Sequence, residues 1–203
     1  MPRTESSNQR IRDERREQIL QAAIQVFVRQ GYSAAKIANI AAAADTSHGL
    51  LYHYFPDGKE EIFAALIERT TRDLTRFAEA IFKQPGDAWD RLTWAITRIL
   101  QGLQHQPDVY AVILQTVGSE AISPELRQIA VRPAAILRAT LRQLIGEGQA
   151  IGRVVAGDPD ELAGVLTYCI EGLSVNVLSP SVAPDPGPIA FPKPETLLRL
   201  VKA

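Results

Sequence analysis

Residues 31–61 read GYSAAKIANIAAAADTSHGLLYHYFPDGKEE, and this stretch decides the fold. Apolar residues recur at helical spacing over 34–44, which predicts a short helix there. A second short helix is predicted over 47–54, and only Asp45 and Thr46 separate it from the first. Short helices joined by so tight a turn form a helix-turn-helix arrangement.

The second of these helices has an unusual composition for a surface helix. It holds two of the chain's three histidines and two of its five tyrosines, and no acidic residue occurs from Ser47 to Phe55. Such side chains donate hydrogen bonds to phosphates and base edges, and Leu50 can contact a thymine methyl group. The helix N-terminus adds a partial positive charge. This composition predicts a helix that reads DNA.

The sequence on both sides of this motif also has helical periodicity. Its apolar stripes predict a first helix from Arg10 to a stop at Gly31 and a long helix over 59–82. A start signal is expected at Ser123-Pro124, and a kink or a restart at Pro133. The remaining predicted helices cover 89–103, 108–117, 124–148, 158–177 and 197–201.

No β-strand alternation stands out, so the chain is predicted to be all-α. The predicted organisation is an N-terminal three-helix helix-turn-helix domain over 1–58, followed by a larger helical domain over 59–203.

Composition excludes several classes of protein. The 203 residues carry a net charge of −1, but residues 1–59 carry +2 and the remainder −3, which directs an anionic partner to the N-terminal part. The single cysteine, Cys169, excludes an internal disulfide framework and a multi-cysteine zinc site. No run of 18 apolar residues and no apolar N-terminal signal region occur, so we expect no membrane span and a cytoplasmic location.

Residue patterns that carry catalysis are missing. There is no Ser-His-Asp order, no phosphate-cradling glycine loop and no metal-ligand spacing, and His105 stands alone beside a proline turn. We therefore expect no enzyme activity, no cofactor and no metal.

The 31–61 segment resembles the DNA-binding domain of the TetR family of bacterial transcriptional regulators. The similarity covers roughly residues 10–67, and beyond them it rests on length and helix order. The matching residues are Gly31-Tyr32, Ile37, Ile40-Ala41, Thr46-Ser47, Gly49, Leu51-Tyr52, Tyr54-Phe55 and Lys59.

Three positions depart from the family pattern. Ala35 stands where the family often has a threonine that caps the second helix, so Ser33 is expected to cap it instead. Asp45 replaces the usual glycine of the turn, and aspartate tolerates left-handed φ better than most residues. The turn at Asp57-Gly58 is one residue longer than usual.

The resemblance implies a DNA-binding role for nine residues. Four of them face the major groove: Ser47, His48, Leu50 and His53. The other five contact the sugar-phosphate backbone: Tyr52, Tyr54, Thr46, Lys59 and, as a further candidate, Lys36.

Some of these positions have an alternative interpretation. Tyr54 could lie in the interior, and His48 and His53 could be ordinary solvated histidines. Leu51 and Phe55 are assigned to the core by their spacing.

The resemblance also implies a homodimer formed through the last two long helices. Gly164, Tyr168 and Gly172 recur at four-residue intervals and would leave two bare patches for a partner. Leu137 and Leu141 are placed at the same interface. Polar contacts are expected between Arg138 or Arg142 and Glu161 or Glu171. The alternative is that these stripes serve only the protomer's own core.

A small-molecule site is implied among the helices that follow the DNA-binding domain. Trp94, Tyr110, Leu114 and Tyr168 are the candidates, because they are large side chains in the middle of predicted helices. Aromatic residues at helical spacing are more often core residues, which is the alternative here. Few charges lie in these stretches, so a mostly apolar effector is expected.

These expectations combine into one function. The chain is predicted to be a ligand-responsive transcriptional repressor that binds a palindromic DNA operator as a homodimer and is released by a small effector. The alternative is a helical dimer that binds a ligand or a protein and does not read DNA.

Overall fold

A computed structural model describes residues 5–105, 108–117, 119–178 and 191–203. These residues form helices joined by turns, with one isolated β-bridge between Val154 and Lys202. The predicted all-α fold is therefore confirmed. The helices are α1 (Glu5–Ala34), α2 (Ile37–Ala43), α3 (His48–Tyr54), α4 (Lys59–Phe82), α5 (Ala88–His105), α6 (Asp108–Val117), α7 (Pro124–Ala130), α8 (Arg132–Ala150), α9 (Pro159–Leu178) and α10 (Pro194–Leu198).

Local start signals in the sequence agree with the helix boundaries. Ser123 caps α7, and its hydroxyl accepts a hydrogen bond from the backbone N–H of Leu126 at 3.3 Å. The helix is interrupted after Ala130, and α8 begins at Arg132 with Pro133 in its first turn, where proline is tolerated. The predicted start of α1 at Arg10 is wrong, because an apolar stripe marks only the packed part of a helix and α1 begins earlier, at Glu5.

The turns around α2 have the backbone that the sequence predicts, but not the expected cap. Gly31 breaks α1 with φ 72° and ψ 156°, a conformation that favours glycine. Asp45 is the one described non-glycine residue with positive φ, at 47°, in the turn between α2 and α3. Lys36 occupies the N-cap of α2 and makes no side-chain cap bond. The expectation that Ser33 caps this helix is wrong, since α2 starts too far along the chain for its hydroxyl to reach.

Two hydrophobic cores divide the molecule, and α4 contributes to both. Ile62, Phe63 and Leu66 of α4 belong to the first core, together with α1, α2, α3, α6 and α7. Ile81, near the other end of α4, belongs to the second core with α5, α8, α9 and α10. Helices α6 and α7 thus pack against the N-terminal helices, so the predicted domain boundary after residue 58 does not coincide with a boundary between cores. That boundary stays a prediction.

In the part of the chain that the structure describes, no helix is both long enough and apolar enough to cross a membrane.

Candidate functional site

Helix α3 has one buried face and one exposed face. Leu51 and Phe55 have no exposed surface, which confirms that they are core residues. Ser47 caps the helix, and its hydroxyl accepts a hydrogen bond from the backbone N–H of Leu50 at 3.1 Å. Leu50 is 37% exposed and Tyr52 is 42% exposed, and both are large side chains.

Two ring pairs hold the outward side chains of α3. The rings of His48 and Tyr52 meet edge to face with centroids 5.2 Å apart. The rings of His53 and Tyr54 do the same at 5.5 Å. Both histidines are exposed, whereas Tyr54 is partly buried and packs against the first core. The exposed face therefore presents imidazole, phenol and hydroxyl groups on a helix that its other face anchors.

Three of the residues predicted to contact the DNA sugar-phosphate backbone lie outside α3, and their environments differ. Lys36 is exposed beside α2. Thr46 is half-buried, and its hydroxyl oxygen is buried without a hydrogen-bond partner among the described atoms. The ammonium of Lys59 instead turns inward, where its three N–H groups face backbone carbonyls at the end of α1.

The contacts of Lys59 connect α4 to the end of α1. Its Nζ donates to the carbonyl oxygens of Tyr32 at 2.8 Å, Ser33 at 3.2 Å and Ala35 at 3.2 Å. It also lies over the Tyr32 ring, 4.5 Å from the centroid. Burial lowers the pKa of Lys59, and the negative charge of Glu60 opposes this effect. An ammonium has three donors, so this geometry assigns Lys59 to the scaffold.

A cavity of about 690 Å³ lies among α4, α5, α6, α8 and α9. Its wall is mostly apolar, and Tyr110 and Leu114 line it as the sequence predicted. Trp94 does not line it. The Trp94 ring stacks on Phe77 with centroids 5.6 Å apart, and Phe77 forms the wall. The assignment of Trp94 to the ligand site is therefore corrected to a position behind the wall.

Tyr168 also lies outside the cavity, because its side chain is on the solvent-exposed side of α9. Ile170 and Ser174, four residues apart, share the face that lines the cavity, whereas Tyr168 is 68% exposed. Its assignment to the ligand site is wrong. Sequence reasoning missed Phe77, Ile99 and Leu137 as lining residues because their apolar stripes do not distinguish a cavity wall from a filled core.

Two acidic side chains, Asp73 and Glu171, and one basic side chain, Arg98, reach the cavity wall. Burial raises the pKa of Glu171. Burial also raises the pKa of Tyr110, and the negative charge of Asp73 adds to that effect.

Several residues predicted at a dimer interface serve the protomer instead. Leu137 and Leu141 are buried in the second core, so their interface assignment is wrong and the alternative of a purely internal stripe holds for them. Gly164 is buried as well. A Cβ added there would lie 3.8 Å from the Tyr168 ring, so Gly164 is no bare patch. Gly172 is exposed beside open space.

Polar contacts between α8 and α9 also differ from the expectation. Arg142 pairs with Asp160 at 3.0 Å, and Arg138 approaches the same carboxylate at 3.8 Å. Asp160, rather than Glu161 or Glu171, is therefore their partner, because it lies at the first turn of α9 where α8 passes.

Comparison with known proteins gives matches over both parts of the chain. The sequence profile of bacterial regulatory proteins of the TetR family matches residues 19–66. That of the C-terminal part of BetI-type transcriptional repressors matches residues 88–189.

Individual relatives agree with these profiles. The transcriptional activator FasR of Mycolicibacterium smegmatis is 34% identical over 104 residues, which are 51% of this chain and 47% of FasR. The aligned part thus spans about half the length of FasR. The regulator BetI of Brucella melitensis biotype 1 is 29% identical over 175 residues, 84% of this chain and 83% of BetI.

Solved structures show the same fold. A TetR-family regulator from Agrobacterium tumefaciens superposes with a TM-score of 0.75 at 18% identity, covering 95% of this chain and 100% of that one. A regulator of the family from Rhodococcus RHA1 gives a TM-score of 0.73 at 25% identity, with 93% and 97% covered. The fold and the exposed face of α3 define a transcriptional regulator with a helix-turn-helix DNA-binding domain. The chain belongs to the TetR family of bacterial transcriptional regulators.

Proposed function

We propose that this protein is a transcriptional repressor that binds a palindromic operator as a homodimer, and that a mostly apolar small molecule releases it. The observation that carries the proposal is the two-faced helix α3. Leu51 and Phe55 anchor it in the core while His48, Leu50 and His53 face outward. The BetI-type repressor profile over residues 88–189 supports repression as the direction of control.

In this proposal the exposed side chains of the helix-turn-helix have separate roles at the DNA. Ser47, His48, Leu50 and His53 contact base edges in the major groove. Tyr52 contacts the sugar-phosphate backbone. The remaining proposed phosphate contacts are made by Tyr54 and Lys36. The role predicted for Thr46 is not kept, because its hydroxyl is buried. Lys59 supports the same surface from behind, through the carbonyls at the end of α1.

Homodimerisation gives this short helix enough contacts to be specific. One α3 helix of seven residues reads few base pairs, whereas two of them about 34–36 Å apart read a palindrome. The exposed side of α9, with Val165, Tyr168 and Gly172, is the surface that we assign to the partner. In this proposal residues 1–58 read DNA and residues 59–203 bind the effector and dimerise. The protein acts in the cytoplasm and has no catalytic role.

Effector control requires the ligand to prefer the state that does not bind DNA. The cavity of about 690 Å³ is within the size range of small-molecule sites. Helix α6 lines the cavity with Ile113 and also contributes Ile113 to the first core, which holds α3. A ligand that moves α6 therefore moves a helix that shares a core with the DNA-binding helices.

The experiment is selection of binders from random duplex DNA with the purified protein, followed by a salt titration of the enriched sequence. We expect an enriched palindrome whose affinity falls steeply as salt rises. No enrichment from a folded dimer would contradict the proposal and favour a module that does not read DNA.

A double variant tests the α3 surface directly. Tyr52→Ala with His53→Ala removes two exposed side chains and should weaken operator binding at least about tenfold. Because neither side chain lies in the core, the helical content and the dimer should not change. Leu200→Ala, at an equally exposed position remote from α3, is the matched control. Unchanged affinity in the double variant would exclude α3 as the DNA-reading helix.

A further inference from the structure

The ligand cavity adjoins a second, more polar space. A groove of about 710 Å³ runs between α1, α4, α5 and α6, and it shares four lining residues with the cavity. The shared residues are Asp73, Arg98, Gly102 and Tyr110. These four residues form the boundary between the cavity and the groove, which we call the mouth of the cavity.

Helix α5 lies between the two spaces, and different sides of the helix line each of them. Ile99 and Leu103, four residues apart, line the apolar cavity. Arg98, Gln101 and His105, at three- and four-residue spacing, line the groove. One side of the helix therefore suits an alkyl chain, while the adjacent side suits a polar group.

Gly102 lies at the mouth itself. A Cβ added there would meet no atom within 4 Å, so the space beside this helical glycine is open. Gly102 therefore leaves room beside α5 at the boundary between the groove and the cavity.

Of the charged side chains around the mouth and the groove, the guanidinium of Arg98 is available to bind an anion. In the groove, Arg69 is paired with Glu17, and Asp73 has Arg76 at 3.7 Å. Arg98 contacts only the neutral amide oxygen of Gln101, at 3.2 Å, among the residues that the structure describes. A guanidinium stays charged and presents paired donors that match the two oxygens of a carboxylate.

We propose that the ligand of this cavity is an amphiphile with a single apolar chain and a carboxylate head. The chain enters the cavity beside Gly102, and the head remains in the groove on Arg98. This inference rests on the proposed function, and it specifies the chemistry of the effector.

The remaining acidic group of the cavity does not oppose this assignment. Glu171 lies on the α9 wall and is not among the residues of the groove. Burial raises the pKa of Glu171, which lessens the repulsion that an anionic ligand would meet.

The position of the head also connects the ligand to the DNA-binding helices. Glu17 and Gln21 of α1 form the opposite wall of the groove. A carboxylate on Arg98 therefore lies between α5 and α1, whereas a neutral chain confined to the cavity does not reach α1.

The test compares three probes that share one alkyl chain: decanoate, decan-1-ol and the decyltrimethylammonium ion. Calorimetric titration of the full-length protein without DNA gives the dissociation constant of each. We expect decanoate to bind at least about tenfold more tightly than the other two. Equal affinities, tighter binding of the cation or no binding of any probe would overturn the proposal.

Variants locate the head and the chain separately. Arg98→Gln should remove the preference for decanoate and leave the affinity for decan-1-ol within about twofold. Gly102→Leu should weaken the binding of decanoate and of decan-1-ol alike, by at least about tenfold, because the leucine side chain fills the mouth. Gly146→Leu is the matched control, since Gly146 is a helical glycine whose added Cβ also meets no atom within 4 Å and which lines neither space.

A DNA-binding assay distinguishes this inference from the proposed function. Decanoate that binds as described and releases the operator supports both. Decanoate that binds as described but leaves operator affinity unchanged supports the ligand class and overturns the effector role. A preference for decanoate that survives Arg98→Gln overturns the assignment of the head.

Discussion

Tyr32 carries a buried hydroxyl beneath the helix-turn-helix. Its ring lies 5.5 Å from that of Phe27 and 5.1 Å from that of Phe63, centroid to centroid. The hydroxyl is buried without a hydrogen-bond partner among the described atoms. Burial, together with the negative charge of Glu60, raises the pKa of Tyr32 to about 12. The ring therefore stabilises this core, while the hydroxyl costs free energy.

Removing that hydroxyl should change how stability depends on pH. The unfolded chain loses this proton near pH 10 and the folded chain near pH 12, so the contribution of Tyr32 is complete below pH 10 and is lost as pH rises through 12. We expect Tyr32→Phe to show a shallower alkaline fall in the free energy of unfolding, measured by urea titration at several pH values. At pH 7 it should be as stable as the native protein or more so. Lower stability there would mean that the hydroxyl is paired, and Tyr52→Phe, at an exposed position, is the control.

Substitutions at Lys59 and Lys36 should have different effects, the first on stability and the second on DNA binding. Lys59→Met leaves three backbone carbonyls without their donor, and we expect the free energy of unfolding to fall by about 1–3 kcal/mol. Lys36→Met, at an exposed position, should leave stability unchanged, weaken operator binding and reduce its salt dependence. Denaturant titration and operator binding measure the two effects. Full stability of Lys59→Met with lost DNA affinity would instead make Lys59 a phosphate ligand.

At the scale of helices, α3 and α7 offer a matched pair of caps. Each has seven residues and begins after a serine whose hydroxyl accepts a backbone N–H three residues on, at 3.1 Å from Ser47 and 3.3 Å from Ser123. Both caps stabilise helices too short to be stable alone. Only α3 exposes the proposed DNA-binding face.

Replacing each serine by alanine should therefore have one common effect and one different effect. Ser47→Ala and Ser123→Ala should each lower the free energy of unfolding by about 1 kcal/mol. Operator affinity should fall only in Ser47→Ala. A comparable loss of affinity in Ser123→Ala would show that global stability, and not the α3 surface, controls DNA binding.

At the scale of the whole molecule, the proposed dimer depends on the exposed side of α9. Val165 is 45% exposed and Tyr168 68% exposed, one turn apart on a helix whose opposite side is buried. Exposed large apolar side chains are common singly, but here they adjoin the open space beside Gly172.

Charges on this surface should separate the protomers. We expect Val165→Glu with Tyr168→Glu to be monomeric by light scattering after size-exclusion chromatography, with unchanged helical content by circular dichroism. The same protein should lose operator affinity, because a monomer has one α3 instead of two. Ile151→Glu, at a position 50% exposed at the end of α8, is the control. A double variant that remains a dimer would place the interface elsewhere.

The sequence by itself determined the class of fold and those helix ends that a glycine, a capping serine or a turn residue marks. Gly31, Asp45 and the capping serines act on the backbone within a few residues, so their effect can be read without knowing what lies nearby. The two faces of α3 were also predictable, because Leu51 and Phe55 repeat at helical spacing. The family followed from the same short stretch.

Only the tertiary structure decided whether a given apolar stripe faces the protomer's own core, the cavity or the solvent. Leu137 and Leu141 face the protomer's own core, Tyr168 faces outward, and Trp94 stands behind the cavity wall. It also directed the Lys59 ammonium to the end of α1, 24 or more residues away along the chain. A helical repeat specifies that a face is buried but not against what, because the partner helices come from distant parts of the chain and their packing is set by the whole assembly.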